Sequence, residues 1–204
     1  MGKWVEYYEE RTMLITVSGA QGCGKSTILE RIEALGYPVI QRKTSRSILT
    51  DWNKTLDEIN DDPNLSKAFQ DEILERKIQD EMEAVQSSSI FFTERTYMDL
   101  FVYTLINLGK FNEHSAWLDS YYQKCLAAQA SYAKVFYVKS GLFQVAADGI
   151  RGSNGHYSRL VDLVLEDYTI QSTDRDRMHV IDVADLNARI AFIQEKVPQV
   201  WNED

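Results

Sequence analysis

Apolar and polar positions along this chain change period repeatedly, and the changes predict strands and helices in alternation. Met13-Leu14-Ile15-Thr16-Val17 is an unbroken apolar, β-branched run, the pattern of a strand covered on both faces. After a glycine-rich interruption, Ile28, Leu29, Ile32 and Leu35 recur at helical spacing, and Gly36 closes that helix. Pro38-Val39-Ile40 predicts a second, short strand, followed by a short helix over 47–53 and a break at Asn60-Asp61-Asp62-Pro63-Asn64. A long helix should then start at a Ser66 cap, with Phe69, Ile73, Ile78, Met82 and Val85 inward and Gln86-Ser87-Ser88-Ser89 ending it. Ile90-Phe91-Phe92-Thr93-Glu94-Arg95 predicts the third strand, and an apolar helix runs from Tyr97 to Leu108. An amphipathic helix over 115–131 follows, with Trp117, Leu118, Tyr121, Tyr122 and Leu126 as its core side. Lys134-Val135-Phe136-Tyr137-Val138 is the fourth strand and Met178-His179-Val180-Ile181-Asp182-Val183 the fifth. Between them lies a helix with Leu160, Leu163, Val164 and Tyr168 on its apolar side, and a closing helix over 186–197 ends the pattern. Strand and helix in this alternation predict one three-layer α/β/α domain over 1–204 around a five-stranded, mostly parallel sheet.

Composition narrows the setting. Hydrophobic and charged fractions of 44% and 26% are those of a globular chain, and no apolar run reaches bilayer-spanning length. The first eleven residues hold charges and aromatics without an apolar signal core, so the expected location is the cytoplasm, with no membrane partner. Cys23 and Cys125 are far apart and offer neither a disulfide framework nor a metal cluster. His114, His156 and His179 stand at no metal-ligand spacing and read as structural. A net charge of −9 opposes extensive nucleic-acid binding, though a local basic groove stays open. The aromatic helix at 115–131 leaves core and homodimer interface both open.

The glycine-rich interruption carries the strongest chemistry. Gly19-Ala20-Gln21-Gly22-Cys23-Gly24-Lys25-Ser26 fills every fixed position of G-x-x-x-x-G-K-[ST], between a strand and a helix as that motif requires. Glycines let successive backbone N–H groups and the helix N-terminus face phosphate oxygens. The expected ATP-binding set is Gly19, Gln21, Gly22, Cys23, Gly24, Lys25, Ser26 and Thr27, with Lys25 reaching the β/γ-phosphates and Ser26 a ligand of Mg²⁺. Cys23 reads as a small loop residue rather than a nucleophile, although nearby N–H groups would lower its pKa. At the carboxyl end of the second strand, Gln41-Arg42-Lys43-Thr44-Ser45-Arg46 places three cations where open α/β sheets bind ligands, so Arg42, Lys43 and Arg46 form a candidate anion site. Glu94 and Arg95 end the third strand, the carboxylate available to metal or acceptor and the guanidinium to phosphate. Asp99, in the first turn of the next helix, is a weaker acceptor-binding candidate, since a helix dipole favours a carboxylate there in any case. A glycine-rich polar loop, Asp148-Gly149-Ile150-Arg151-Gly152-Ser153-Asn154-Gly155-His156, precedes a helix carrying Arg159; residues 140–158 read as a closing lid bringing Arg151 to the transferring group.

Taken in order, Gly19-x-x-x-x-Gly24-Lys25-Ser26, Glu94-Arg95-x-x-x-Asp99 and Asp148-Gly149-Ile150-Arg151 resemble the small P-loop nucleoside and nucleotide kinases over about residues 13–195. The closest look is to bacteriophage-type deoxynucleoside monophosphate kinases and the ribosylnicotinamide-kinase-like family. The resemblance implies a sheet of order 2-3-1-4-5 and Mg²⁺-dependent γ-phosphoryl transfer from ATP to a small acceptor. It implies catalytic roles for Lys25, Glu94, Arg95 and the lid residue Arg151, with Ser26 and Glu94 at the metal. Members that act on a nucleoside hydroxyl commonly carry an acidic base at the end of strand two, where this chain has Gln41 to Arg46 and no carboxylate. A phosphate acceptor needs cations rather than a base, so the departure favours a deoxynucleoside monophosphate. Three alternatives stay open. Glu94 could serve as base toward a nucleoside, or a hydroxymethylated pyrimidine in DNA could be the acceptor. A P-loop switch or motor is the third, though no Asn/Thr-Lys-x-Asp guanine-reading element is present.

Overall fold

The computed structural model describes residues 13–40, 44–85, 90–110, 112–142 and 155–198. Five strands form the sheet: β1 (Met13–Ser18), β2 (Val39–Ile40), β3 (Ile90–Glu94), β4 (Lys134–Val138) and β5 (Met178–Ile181). Their order is β2-β3-β1-β4-β5 and every pairing is parallel, as the resemblance implied. Eight α-helices accompany them among the described residues: α1 (Lys25–Ala34), α2 (Thr44–Trp52), α3 (Leu56–Asp61), α4 (Pro63–Val85), α5 (Tyr97–Leu108), α6 (Ser115–Gln129), α7 (Gly155–Gln171) and α8 (Leu186–Lys196).

Alternation along the strands builds the two outer layers. Leu14, Phe91, Val135 and Tyr137 point to one face and join residues of α2 to α7 in a single core. Their neighbours Ile15, Val17, Phe92, Phe136 and Val138 point to the other, against Ile28, Leu29 and Ile32 of α1 and Ile190 and Ile193 of α8. Both faces of the central strands are therefore sealed, which is why they read as continuous apolar runs. No described helix is long and apolar enough to cross a membrane.

Three elements depart from the sequence expectation. The 60–64 break contains no loop of length: α3 ends at Asp61 and α4 starts at Pro63, with the Asp62 carboxylate accepting from the amides of Asn64 (2.8 Å) and Leu65. The cap is thus Asp62, and proline in the first turn costs α4 nothing because that N–H has no helical partner. Ser66 instead lies buried inside α4. In α7 the inward residues are Val161, Leu165 and Thr169, whereas Leu160 and Leu163 are exposed. The fifth strand stops at Ile181, leaving Asp182 and Val183 in the connection to α8.

Candidate active site

The carboxyl ends of the parallel strands share one edge, and the central strand β1 delivers its chain there with β3 on one side and β4 on the other. The strand order reverses around β1, and open parallel sheets bind their ligands beyond the strand ends at such a switch point. The loop leaving β1 turns on glycines with positive φ: Gly19 (+139°), Gly22 (+82°) and Gly24 (+92°). At Gly19 a Cβ would stand 2.4 Å from the Val138 carbonyl oxygen and 2.8 Å from Cys23 Sγ, so a side chain is excluded twice. Gly24 precedes α1 without any side-chain cap, leaving the first amides of the helix directed at the loop.

Lys25 begins α1, 94% of its surface covered, its ammonium donating to the carbonyls of Gly19 (2.7 Å) and Ala20 (2.9 Å). Ser26, Thr27 and Gln21 are exposed around the same loop and Gly22 is half-buried. Cys23 is buried, and burial raises its thiol pKa despite the opposing pull of Lys25, so it is no activated nucleophile. Its carbonyl accepts from Arg189 Nη1 (2.9 Å), while Arg189 Nε donates to the Val183 carbonyl (2.7 Å). This buried arginine of α8 ties the loop to the segment after β5. Sequence reasoning passed over it, although a charge beside Ile190 and Ile193 on the inward side of a helix was the available signal.

On the other flank, Glu94 pairs in register with Val17, which places this half-buried residue beside the origin of the phosphate loop. Arg95 follows at φ +70°, a left-handed conformation uncommon for a side chain of this size. It is held there by the backbone: its amide donates to the Val17 carbonyl (3.0 Å), and its carbonyl accepts from Thr16 Oγ1 (3.0 Å). The guanidinium is exposed and stands 5.5 Å from the centre of the Tyr103 ring. Burial pushes the Tyr103 hydroxyl up to about 12, with Arg95 opposing the shift.

Asp99, an acceptor-binding candidate from the sequence, lies at the start of α5. It is 1% exposed and forms a capping box with Thr96, whose amide (2.7 Å) and hydroxyl (2.8 Å) both reach Asp99 Oδ2. The same oxygen accepts from Ser18 at 2.6 Å, fastening the start of α5 to the end of β1. Arg46 is exposed on α2, just beyond the end of β2. Arg42, Lys43 and Arg151 lie outside the described residues, as does most of the expected lid segment. Beyond that segment, the Asp162 carboxylate of α7 accepts from Tyr137 (2.8 Å) and Ser140 (2.5 Å) near the end of β4.

Ser26 and Glu94 supply a hydroxyl and a carboxylate, hard oxygen donors at one strand edge. They suit Mg²⁺, which keeps most of its waters and takes few protein ligands.

A glycine-wrapped loop between a central parallel strand and a helix, with its lysine and serine in place, defines a P-loop domain of the kinase fold. The chain belongs to the AAA domain family, whose model matches residues 14–189. No curated protein sequence matches it significantly. Among solved structures it is similar to NadR in complex with NR (TM-score 0.74, 16% identity), over 94% of this chain and 53% of that one. It is also similar to deoxyadenosine kinase from M. mycoides with the products dCMP and dCDP bound (TM-score 0.65, 17% identity), over 92% of this chain and 100% of the other. A further similarity is to NadR with NAD and AMP-PNP (TM-score 0.66, 12% identity), over 94% of this chain and 51% of that one. This chain therefore spans about half the length of NadR, and at these identities the likeness is one of fold.

Proposed function

We propose that this protein is a Mg²⁺-dependent kinase that transfers the γ-phosphoryl group of ATP to a deoxynucleoside monophosphate, giving the diphosphate and ADP. The observation that carries the reading is the juxtaposition of a complete phosphate loop with Glu94-Arg95, in register beside β1 and held in a left-handed turn. An acceptor phosphate oxygen attacks the γ-phosphorus of ATP, a new P–O bond forms, and the bond to the β-γ bridging oxygen breaks. Loop amides and Lys25 hold the donor phosphates, while Arg95 meets charge on the acceptor or on the transferring group. Ser26 and Glu94 would hold a bound Mg²⁺, which would supply positive charge against that of the donor phosphates. Arg42, Lys43 and Arg46 would bind the acceptor phosphate, and Arg151 would close over the site. ATP and the nucleotide are the small-molecule partners this reading requires.

A second reading has support of its own. The fold neighbours include a deoxyadenosine kinase, and Glu94 is a solvent-reachable carboxylate able to take a proton from a nucleoside hydroxyl. One experiment separates the two: ATP consumption with Mg²⁺ against all nucleosides, their monophosphates, and DNA with and without hydroxymethylated pyrimidines. Turnover on one or a few monophosphates is the expected result. Turnover on nucleosides alone overturns the monophosphate assignment and makes Glu94 the base. Turnover on DNA alone moves Arg42, Lys43 and Arg46 into a polymer groove. ATP hydrolysis with no acceptor phosphorylated returns the chain to the switch or motor class.

A further inference from the structure

Beneath the Glu94-Arg95 turn, α4 brings a lysine and a glutamate into the protein interior. Lys77 Nζ donates to Thr93 Oγ1 (3.2 Å) and to the Glu94 carbonyl (3.2 Å), and pairs with Glu81 at 2.7 Å. The side chains of Lys77 and Glu81 are only 11% and 1% exposed. Glu81 also accepts from the hydroxyls of Tyr97 (2.5 Å) and Tyr132 (3.1 Å), whose rings stack 5.4 Å apart. Tyr132 reaches the Arg95 carbonyl as well, at 3.5 Å. The result is one connected polar network that ends on the carbonyls of Glu94 and Arg95, one on each side of the Arg95 Cα.

Such a network is a poor source of stability. Removing an ion pair from water costs several kcal/mol, and apolar replacements of similar volume often do as well or better. A left-handed arginine, by contrast, persists only where its surroundings over-determine it. The amide of Arg95 and its carbonyl are gripped from β1, and the preceding carbonyl is gripped by the Lys77 ammonium. We propose that Lys77 and Glu81 are positioning residues for phosphoryl transfer, with Lys77 fixing the peptide that aims Glu94 and Arg95 and Glu81 fixing Lys77. The inference rests on the kinase reading for its catalytic meaning, but the restraint on the turn does not.

The decisive variant is the double replacement Lys77→Met with Glu81→Gln. It removes both charges together and keeps an acceptor for the two tyrosine hydroxyls, so no unpaired buried charge remains. Thermal melting is expected to stay near the wild-type midpoint, while kcat on the acceptor found in the panel falls about 10- to 100-fold, the scale of a misaimed catalytic group. KM for ATP should change little, because the phosphate loop is untouched. The single Lys77→Met variant should melt early, which marks the cost of stranding Glu81. Hydrogen exchange supplies a readout without turnover. The Arg95 amide in the double variant should exchange at least about tenfold faster than in the wild type, with the β1–β4 amides unchanged. Wild-type kcat in a well-folded double variant overturns the positioning role. If the wild type phosphorylates nothing in the panel, the kinase reading fails on its own and exchange decides: an unchanged Arg95 amide overturns the inference.

Discussion

Arg95 sits in a backbone conformation that its residue type rarely adopts. Its φ of +70° disfavours every residue except glycine by about 1–2 kcal/mol, yet the position holds an exposed arginine. The expected consequence is a separation of stability from activity. Arg95→Gly should leave the unfolding free energy within about 1 kcal/mol of wild type, since relief of strain offsets the added freedom of the unfolded chain. Its turnover should fall about 100-fold or more, as when one charge-stabilising donor is deleted. Parallel denaturant titration and steady-state kinetics check both halves. At this scale the sequence located the glycine-rich loop with its lysine and serine, because the motif names those positions directly. It did not reveal that Asp99 is buried, since an acidic residue in a helix's first turn looks the same whether it faces solvent or a neighbouring strand.

At the scale of elements, α5 is fastened rather than merely packed. The Thr96–Asp99 capping box and the Ser18 hydroxyl meet on one carboxylate oxygen, joining the helix start to the strand that feeds the phosphate loop. Replacing Asp99 by alanine would lose the cap and strand the buried Ser18 hydroxyl. A loss of about 2–3 kcal/mol is expected by chemical denaturation. Helix α7 teaches the complementary lesson. Leu160 and Leu163 resembled core positions by hydrophobicity, but Val161, Leu165 and Thr169 are the inward set. With apolar residues on several sides of a helix, periodicity leaves its rotation undetermined, and packing against α5 decides it.

Across the whole molecule, the phosphate loop depends on the far end of the chain. Arg189 reaches the Cys23 carbonyl from α8 across a sequence separation of 166 residues. Arg189→Met should keep the apolar packing of the stem but release that carbonyl, weakening Mg²⁺–ATP binding about tenfold by calorimetry. Buried acids give the molecule a second global property. Burial lifts the Cys125 thiol from 9.0 to about 12 and the Tyr103 hydroxyl from 10.0 to about 12. The folded protein keeps these protons while the unfolded chain releases them. Their contribution is therefore fully present below the unfolded pKa of 9.0 and is lost as pH rises toward 12. Melting temperatures measured from about pH 8 to about pH 11 should fall steadily above about pH 9.

What the sequence determined by itself was local or strictly ordered. Contiguous apolar runs marked all five strands, the motif located the glycine-rich loop, and the family resemblance carried by the motifs implied the 2-3-1-4-5 sheet that forms. Each of these signals lies within a few residues or in a simple succession along the chain. The tertiary structure alone decided what depends on contacts between distant segments. Arg189 became part of the loop's support, Lys77 and Glu81 came to lie under Glu94 and Arg95, and Asp99 was turned inward to Ser18. Their physical cause is shared: a buried polar group must find its partner in three dimensions, and the spacing that brings the two together is written in the packing of helices on the sheet.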